Sequence, residues 1–174
     1  MKELKNSIIT EPMKNALKIT AALFITLIFA GEISAQDFPT GPELSETPGK
    51  LCDQPSKLRY PEKIAYCDRD VSYETKEIII HEYDQKFNYS IAKMPRGEFK
   101  IDHLIPLCAG GSNDITNLWP QHKSVYAITD PLEPVICSKM AQGRLKQKDA
   151  VSLVIEAKTH LERTKKIIEY VSRL

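Results

Sequence analysis

Residues 100–123, KIDHLIPLCAGGSNDITNLWPQHK, are the stretch that decides the fold. They open with an apolar run typical of a β-strand, and this run carries Asp102 and His103. Glycine, serine and Asx residues follow at 110–114, where a chain reversal needs them. The first half of the stretch therefore predicts a strand that leads into a turn.

The second half of the stretch is another short apolar run. It spans residues 115–119 and carries Asn117. Pro120 is predicted to end this run before His122. Together the two halves predict a hairpin, with Asp-His on one arm and Asn on the other.

Three motifs in this hairpin, DHLIPL at 102–107, GG at 110–111 and NLWPQ at 117–121, resemble the H-N-H nucleases. The resemblance is closest to a small bacterial group with the same motif order, and it extends over about residues 60–157. It implies an α+β fold with a ββα-metal core, a hairpin plus a helix, and additional packing helices. It also implies a metal-dependent endonuclease that hydrolyses phosphodiester bonds.

Phosphodiester hydrolysis needs a base to deprotonate water and a cation to neutralise the charge that builds on the phosphate. His103 is the candidate base, because the pKa of imidazole lies near neutrality. Asp102 is the candidate metal ligand, since Mg²⁺ prefers oxygen. Adjacent side chains on a regular strand point to opposite faces, so the strand must bend or end for both to reach one site. Otherwise Asp102 is a surface carboxylate and His103 a core histidine.

The remaining site residues rest on the resemblance. It implies that Asn117 hydrogen-bonds across the loop and orients the arm that carries the catalytic histidine. The usual position of the last H-N-H ligand holds Tyr126, a poor ligand. His122 is the candidate second metal ligand, and Asp130 is its competitor. Mg²⁺ is the first choice of metal, and Zn²⁺ stays open because a histidine ligand softens the site.

Substrate contacts are predicted at the edges of the motif. Lys100 and Lys123 bracket it and are candidates for binding the phosphates of a DNA or RNA substrate. Trp119 is the only tryptophan and is predicted to be a core residue rather than a base-stacking platform. No protein partner is predicted.

Residues 1–35 have the pattern of a secretory signal peptide. A start with four lysines precedes the apolar run ITAALFITLIFA at 19–30, which is shorter than the ~20 residues that span a bilayer. Small residues then lead to a predicted cut after Ala35. We expect a protein secreted or exported to the periplasm, without a stable membrane anchor. Residues 36–61 are predicted to be a Pro-rich extension, and residues 62–174 the nuclease domain.

The net charge of the chain leaves two hypotheses about its function open. The chain has 24 Lys and Arg and 23 Asp and Glu, and the leader holds four lysines and three glutamates, so 20 of each remain after cleavage. A neutral domain must bind nucleic acid through a local patch rather than through its overall field. The second hypothesis is therefore a catalytically inactive, disulfide-stabilised binding or envelope-structural domain on the same core.

All four cysteines, Cys52, Cys67, Cys108 and Cys137, follow the leader. An oxidising compartment would allow them two disulfides. The absence of Cys-x-x-Cys spacing argues against a four-cysteine zinc site. The resemblance favours pairing Cys67 with Cys137, which leaves Cys52 for Cys108.

Apolar periodicity predicts helices on both sides of the hairpin. One spans residues 74–87 with Ser72 as its cap, and a partly helical region spans 125–140 with breaks at its prolines. A third apolar stripe runs from Asp149 to Val171.

Overall fold

The computed structural model describes residues 36–174, which adopt the predicted α+β fold class. The described residues form two small antiparallel sheets and five α-helices. The strands are β1 (Lys57–Arg59), β2 (Ile64–Tyr66), β3 (Phe99–His103) and β4 (Leu118–His122). The helices are α1 (Tyr73–Phe87), α2 (Lys123–Thr129), α3 (Leu132–Ala141), α4 (Gln147–Thr159) and α5 (Leu161–Arg173).

The predicted signal peptide lies outside the described residues. No helix within 36–174 is both long enough and apolar enough to span a bilayer.

The predicted hairpin is formed by β3 and β4, and α2 follows it directly. Asp102 lies opposite Trp119, and His103 lies opposite Leu118. Trp119 and Leu118 are fully buried, so the tryptophan is a core residue as predicted. The prediction that Pro120 ends the second arm is wrong, because β4 continues through Pro120 to His122. In a two-stranded sheet every strand is an edge strand, where a proline without an N–H is tolerated.

The helices pack around this hairpin. Helix α1 begins after Ser72, whose side chain accepts a hydrogen bond from Thr75 N as predicted, and α1 packs on β4. The predicted C-terminal stripe is two helices rather than one, because the backbone of His160 leaves the helical region between α4 and α5. The break predicted at Pro134 is wrong: this proline lies inside the first turn of α3, where its missing N–H has no partner within the helix to lose.

The Pro-rich extension is part of the same compact unit as the helices. Its residues 49–52 lie against the β3–β4 loop: Leu51 forms a β-bridge with Gly111, and Cys52 N donates to Gly110 O at 2.8 Å. The boundary predicted after residue 61 falls in the turn between β1 and β2. The extension therefore contributes directly to holding the loop that follows His103.

Two disulfides are present, and no described cysteine is free. The pairing that the resemblance favours is wrong: the bonds join Cys52 to Cys67 and Cys108 to Cys137. The bonded cysteines are 15 and 29 residues apart in sequence, and the second bond joins α3 to the short turn after β3 that packs on it. Disulfides of this kind fit an oxidising, extracellular compartment.

Candidate functional site

Asn117 is the buried centre of the β3–β4 loop. Its Oδ1 accepts a hydrogen bond from Ile105 N at 2.9 Å. Its Nδ2 donates to Ile105 O at 3.0 Å and to Ser112 O at 2.8 Å. The side chain thus ties both ends of the loop together just after His103, which is the orienting contact that the resemblance implies.

The glycine pair allows this close approach. A Cβ on Gly111 would lie 1.8 Å from Ile105 O and 2.9 Å from Asn117 Nδ2. Gly110 has a φ of +86°, a left-handed conformation that glycine adopts without strain. Any larger residue at 111 would displace the asparagine or the backbone that it holds.

His103 ends β3 and is nearly fully buried, with both ring nitrogens in contact with other side chains. Nε2 lies 3.1 Å from Asn113 Oδ1, and Nδ1 lies 3.3 Å from Arg69 Nη1. Arg69 is fixed by a second bond, from Nη2 to Ile101 O at 3.0 Å. Arg69 itself is an exposed residue, although these two contacts are partly buried.

These contacts determine the protonation of the ring. Asn113 Nδ2 donates to Asp68 O at 2.7 Å, so its Oδ1 faces the histidine as an acceptor. Nε2 of His103 must then carry the proton, and Nδ1 keeps the lone pair that Arg69 contacts. Burial lowers the pKa of His103, the Asn113 contact raises it in part, and the Arg69 charge lowers it further. The imidazole is therefore neutral near pH 7, as a general base must be.

Asp102 lies on the other face of β3, in contact with different residues. Its Oδ2 lies 3.4 Å from Lys158 Nζ and 3.6 Å from Lys100 Nζ. Burial alone would raise the pKa of Asp102, but the Lys158 and Lys100 charges outweigh it and hold the pKa below its usual value. Asp102 and His103 are successive residues of β3, both paired with β4, so their side chains point to opposite faces of the hairpin.

Two more carboxylates border Asp102. Asp130 accepts two hydrogen bonds from Lys100, at 2.8 and 2.9 Å. Glu133 is partly buried in α3, and burial raises its pKa, an effect that Lys158 opposes. The Asp102 face is thus a cluster of three carboxylates and two lysine ammonium groups.

His122 is not part of this cluster. It lies opposite Phe99 in the hairpin, on the other face of the sheet from Asp102. Its Nδ1 accepts a hydrogen bond from Ser124 N at 3.2 Å and caps α2, and its ring stacks on Phe38 at 3.8 Å. It lines a cavity of about 600 Å³ at the opposite end of the hairpin from His103.

The two predicted phosphate-binding lysines are both engaged in ion pairs. Lys100 is bound to Asp130, and its Nζ also lies 4.8 Å from the ring centroid of Tyr126. Lys123 is bound to Glu98 at 2.6 Å. Each lysine would have to leave its carboxylate in order to bind a phosphate.

The donors present do not fit a divalent ion. The predicted pair of ligands, Asp102 and His122, is not brought together, and Asp102 already faces two ammonium groups. Ligand atoms of Cys108, Glu133 and Cys137 lie within 4.8 Å of one another, a group that could hold a metal ion. Metal binding there would require thiolates, and both sulfurs are in a disulfide. Asp130, the competing ligand, lies on the Asp102 side but is bound by Lys100.

The sequence patterns did not identify three residues of the site, Arg69, Lys158 and Asn113. Arg69 and Lys158 lie 34 and 56 positions from the residues that they contact, and neither belongs to a local motif. Asn113 was assigned only a turn-forming role. The DHLIPL motif predicts where the centre of the site lies. The charged groups around that centre are brought there by packing between residues that are distant in sequence.

Comparisons with protein-family models, with curated proteins and with solved structures gave no match to this chain. The chemistry of the site itself is therefore what points to a function.

Asn117→Ala should destabilise the fold strongly. Three buried backbone groups, of Ile105 and Ser112, would lose their partner, and each unsatisfied group costs about 1–3 kcal/mol. We expect a loss of about 3 kcal/mol or more in the free energy of unfolding, measured by urea denaturation. Asn113→Ala, at a partly exposed position, is the matched control and should cost about 1 kcal/mol. Equal losses in both variants would contradict the special role of Asn117.

His122→Ala tests the residue as a cap rather than as a ligand. Removing an N-cap side chain costs about 0.5–2 kcal/mol, so unfolding should occur at lower denaturant concentration. Because His122 is remote from Asp102, EDTA should leave the unfolding of both wild type and variant unchanged. An EDTA effect present in wild type and absent in the variant would restore His122 as a metal ligand.

Proposed function

We propose that the protein is an exported endonuclease, a phosphodiester hydrolase of nucleic acid, with His103 as general base and Arg69 as the group that binds the scissile phosphate. One observation carries the proposal. The unprotonated Nδ1 of a buried, neutral histidine faces an exposed guanidinium at 3.3 Å. A buried candidate base is thus adjacent to an anion-binding group that belongs to an exposed residue.

The arrangement suits hydrolysis because both groups are positioned before substrate arrives. Asn113 holds the protonated side of the ring, which leaves Nδ1 facing Arg69. Guanidinium binds phosphate oxygens through two parallel N–H groups, a geometry that lysine cannot reproduce. When Arg69 turns towards a phosphate, Nδ1 is released to contact a water molecule.

In the proposed reaction, Nδ1 of His103 takes a proton from that water, and the hydroxide attacks phosphorus. The bond from phosphorus to the leaving oxygen breaks, and this oxygen takes a proton from solvent. Arg69 neutralises the charge that builds on the non-bridging oxygens. The resemblance implies a divalent ion, but the donors around Asp102 do not fit one, so no step is assigned to a metal.

The direct test is to incubate the purified disulfide-bonded protein with plasmid DNA and with RNA, each with and without EDTA. Cleavage of either polymer supports the proposal, and the pair of substrates decides between DNA and RNA. Absence of cleavage of both polymers, with and without added Mg²⁺ or Zn²⁺, would reject it.

A second candidate is a catalytically inactive binding or envelope-structural domain, and one observation favours it. The cavity of about 520 Å³ beside Asn113 is lined by four carboxylates and only one lysine, and this excess of negative charge repels a polyanion. The carboxylates are those of Asp53, Asp68, Asp70 and Asp114. An inactive domain would leave both polymers intact and would still unfold cooperatively.

His103→Ala should remove activity without unfolding the protein. The expected loss is about 10²–10⁴-fold in kcat/KM, the usual contribution of a general base. His81→Ala, on the exposed face of α1, is the matched control and should retain full activity. A folded His103→Ala protein that cleaves at the wild-type rate would exclude His103 as the base.

Arg69 variants should alter both rate and pH dependence. His103 must be neutral to accept a proton, so activity is present above its pKa and lost as the pH falls through it. Since that pKa is lowered, the midpoint of the acid limb should lie below about 6.5 in wild type. Arg69→Ala removes a lowering charge and opens the ring to water, so the midpoint should rise. The same variant should lose about 10–100-fold in kcat/KM, since a hydrogen bond to a charged group contributes about 1.5–3 kcal/mol.

Arg69→Lys is the matched control, because it keeps the charge and loses the paired N–H groups. Its acid limb should stay near that of wild type while kcat/KM falls. A midpoint that stays unchanged in Arg69→Ala would show that the guanidinium does not act on His103.

A further inference from the structure

Lys158 is a lysine buried in the interior of the protein. It belongs to α4 and is 5% exposed. Its Nζ donates to the backbone oxygen of His103 at 2.5 Å and lies 3.4 Å from Asp102 Oδ2. A lysine is rarely buried unless a specific partner compensates for its lost hydration. Here the compensating partner is the carboxylate at the centre of the motif.

The Lys158 ammonium group lies beside Asp102, where a divalent ion bound to that carboxylate would otherwise lie. A divalent ion bound to Asp102 would have to lie about 2.0–2.6 Å from a carboxylate oxygen. Oδ2 already faces two ammonium groups, since Lys100 Nζ lies 3.6 Å away. A dication beside that oxygen would be repelled by both, and the backbone oxygen of His103 keeps Lys158 in place.

The surrounding carboxylates have the composition of a cation site. Asp102 comes from β3. Asp130 lies just before α3, and Glu133 lies in the first turn of α3. Lys100 joins Asp102 to Asp130, and Asp130, Glu133 and Lys158 border one small cleft. Oxygen ligands of this type bind Mg²⁺ or Mn²⁺ when no internal cation neutralises them.

We propose that the Lys158 ammonium takes the place of a divalent ion at Asp102, so that the folded protein has a latent metal site that its own lysine keeps closed. The inference concerns cation binding and does not rest on the proposed nuclease activity. It applies equally to an active enzyme and to an inactive domain. Replacing Lys158 by a neutral side chain should therefore open the site to a divalent cation.

The test measures Mn²⁺ binding to the full disulfide-bonded chain by electron paramagnetic resonance, with thermal unfolding as the second readout. Wild type should bind no Mn²⁺ at this site, and neither EDTA nor Mn²⁺ should shift its Tm. Lys158→Met should have a lower Tm, because Asp102 loses its partner. It should bind Mn²⁺ at least about tenfold more tightly than wild type, a difference of about 1.4 kcal/mol, and regain Tm when Mn²⁺ is added.

Two further variants locate the effect. Lys148→Met, at an exposed position of the same helix, should behave as wild type in both measurements. Lys158→Met combined with Asp102→Asn should lose the gained Mn²⁺ binding. Wild-type protein that binds Mn²⁺, with Asp102→Asn abolishing that binding, would overturn the proposal. So would a folded Lys158→Met protein that gains no Mn²⁺ binding.

If Lys158→Met does not fold either with or without Mn²⁺, the Mn²⁺-binding measurements on wild type and on Asp102→Asn decide. Mn²⁺ binding through Asp102 then overturns the proposal, and its absence supports it. Failure of the nuclease proposal would be seen separately, as a lack of cleavage, and would leave these binding results unchanged.

Discussion

The side chain of Asn117 is the interaction on which the site depends. A loop of irregular backbone between two strands has polar groups that the hairpin ladder cannot satisfy, and burying them unpaired is costly. One primary amide satisfies three of them, at both ends of the loop. Because Ile105 lies two residues after His103, this clamp also determines where β3 ends. The glycine at 111 follows from the same constraint, since nothing larger fits beside the amide.

The alternation of side chains along a strand divides the motif into two halves. Asp102 and His103 are adjacent in sequence, yet Asp102 contacts lysines from β3 and α4 while His103 contacts Arg69 and Asn113. Asp102 faces the buried ammonium group of Lys158 and the partly exposed one of Lys100, whereas His103 faces the exposed Arg69 guanidinium. The buried ammonium balances a carboxylate and cannot reach a substrate, whereas the exposed guanidinium can. Any chemistry on a phosphate therefore belongs to the His103 half.

Sequence reasoning located the hairpin, α1 with its Ser72 cap, the buried Trp119 and the loop-spanning role of Asn117, because each follows from a local pattern. It failed wherever a contact spans many residues. The disulfide pairing depends on which elements pack together, and the partners of Asp102 and His103 come from α4 and from the segment after β2. His122 was predicted to be the second ligand because it is near the exit of the hairpin, but β4 carries it three positions beyond Trp119, the partner of Asp102, and so onto the opposite face of the sheet.

The distribution of charge limits how a nucleic acid could bind. Lys100 and Lys123 are neutralised by Asp130 and Glu98, and carboxylates line the cavity beside Asn113. A polyanion that approached along this cavity would meet repulsion before it met Arg69. Arg69 is flanked in sequence by Asp68 and Asp70, whose negative charges oppose the approach of a polyanion. Under the proposed function, the substrate would therefore present one phosphate at the His103 end of the hairpin rather than lie as a long duplex along its length.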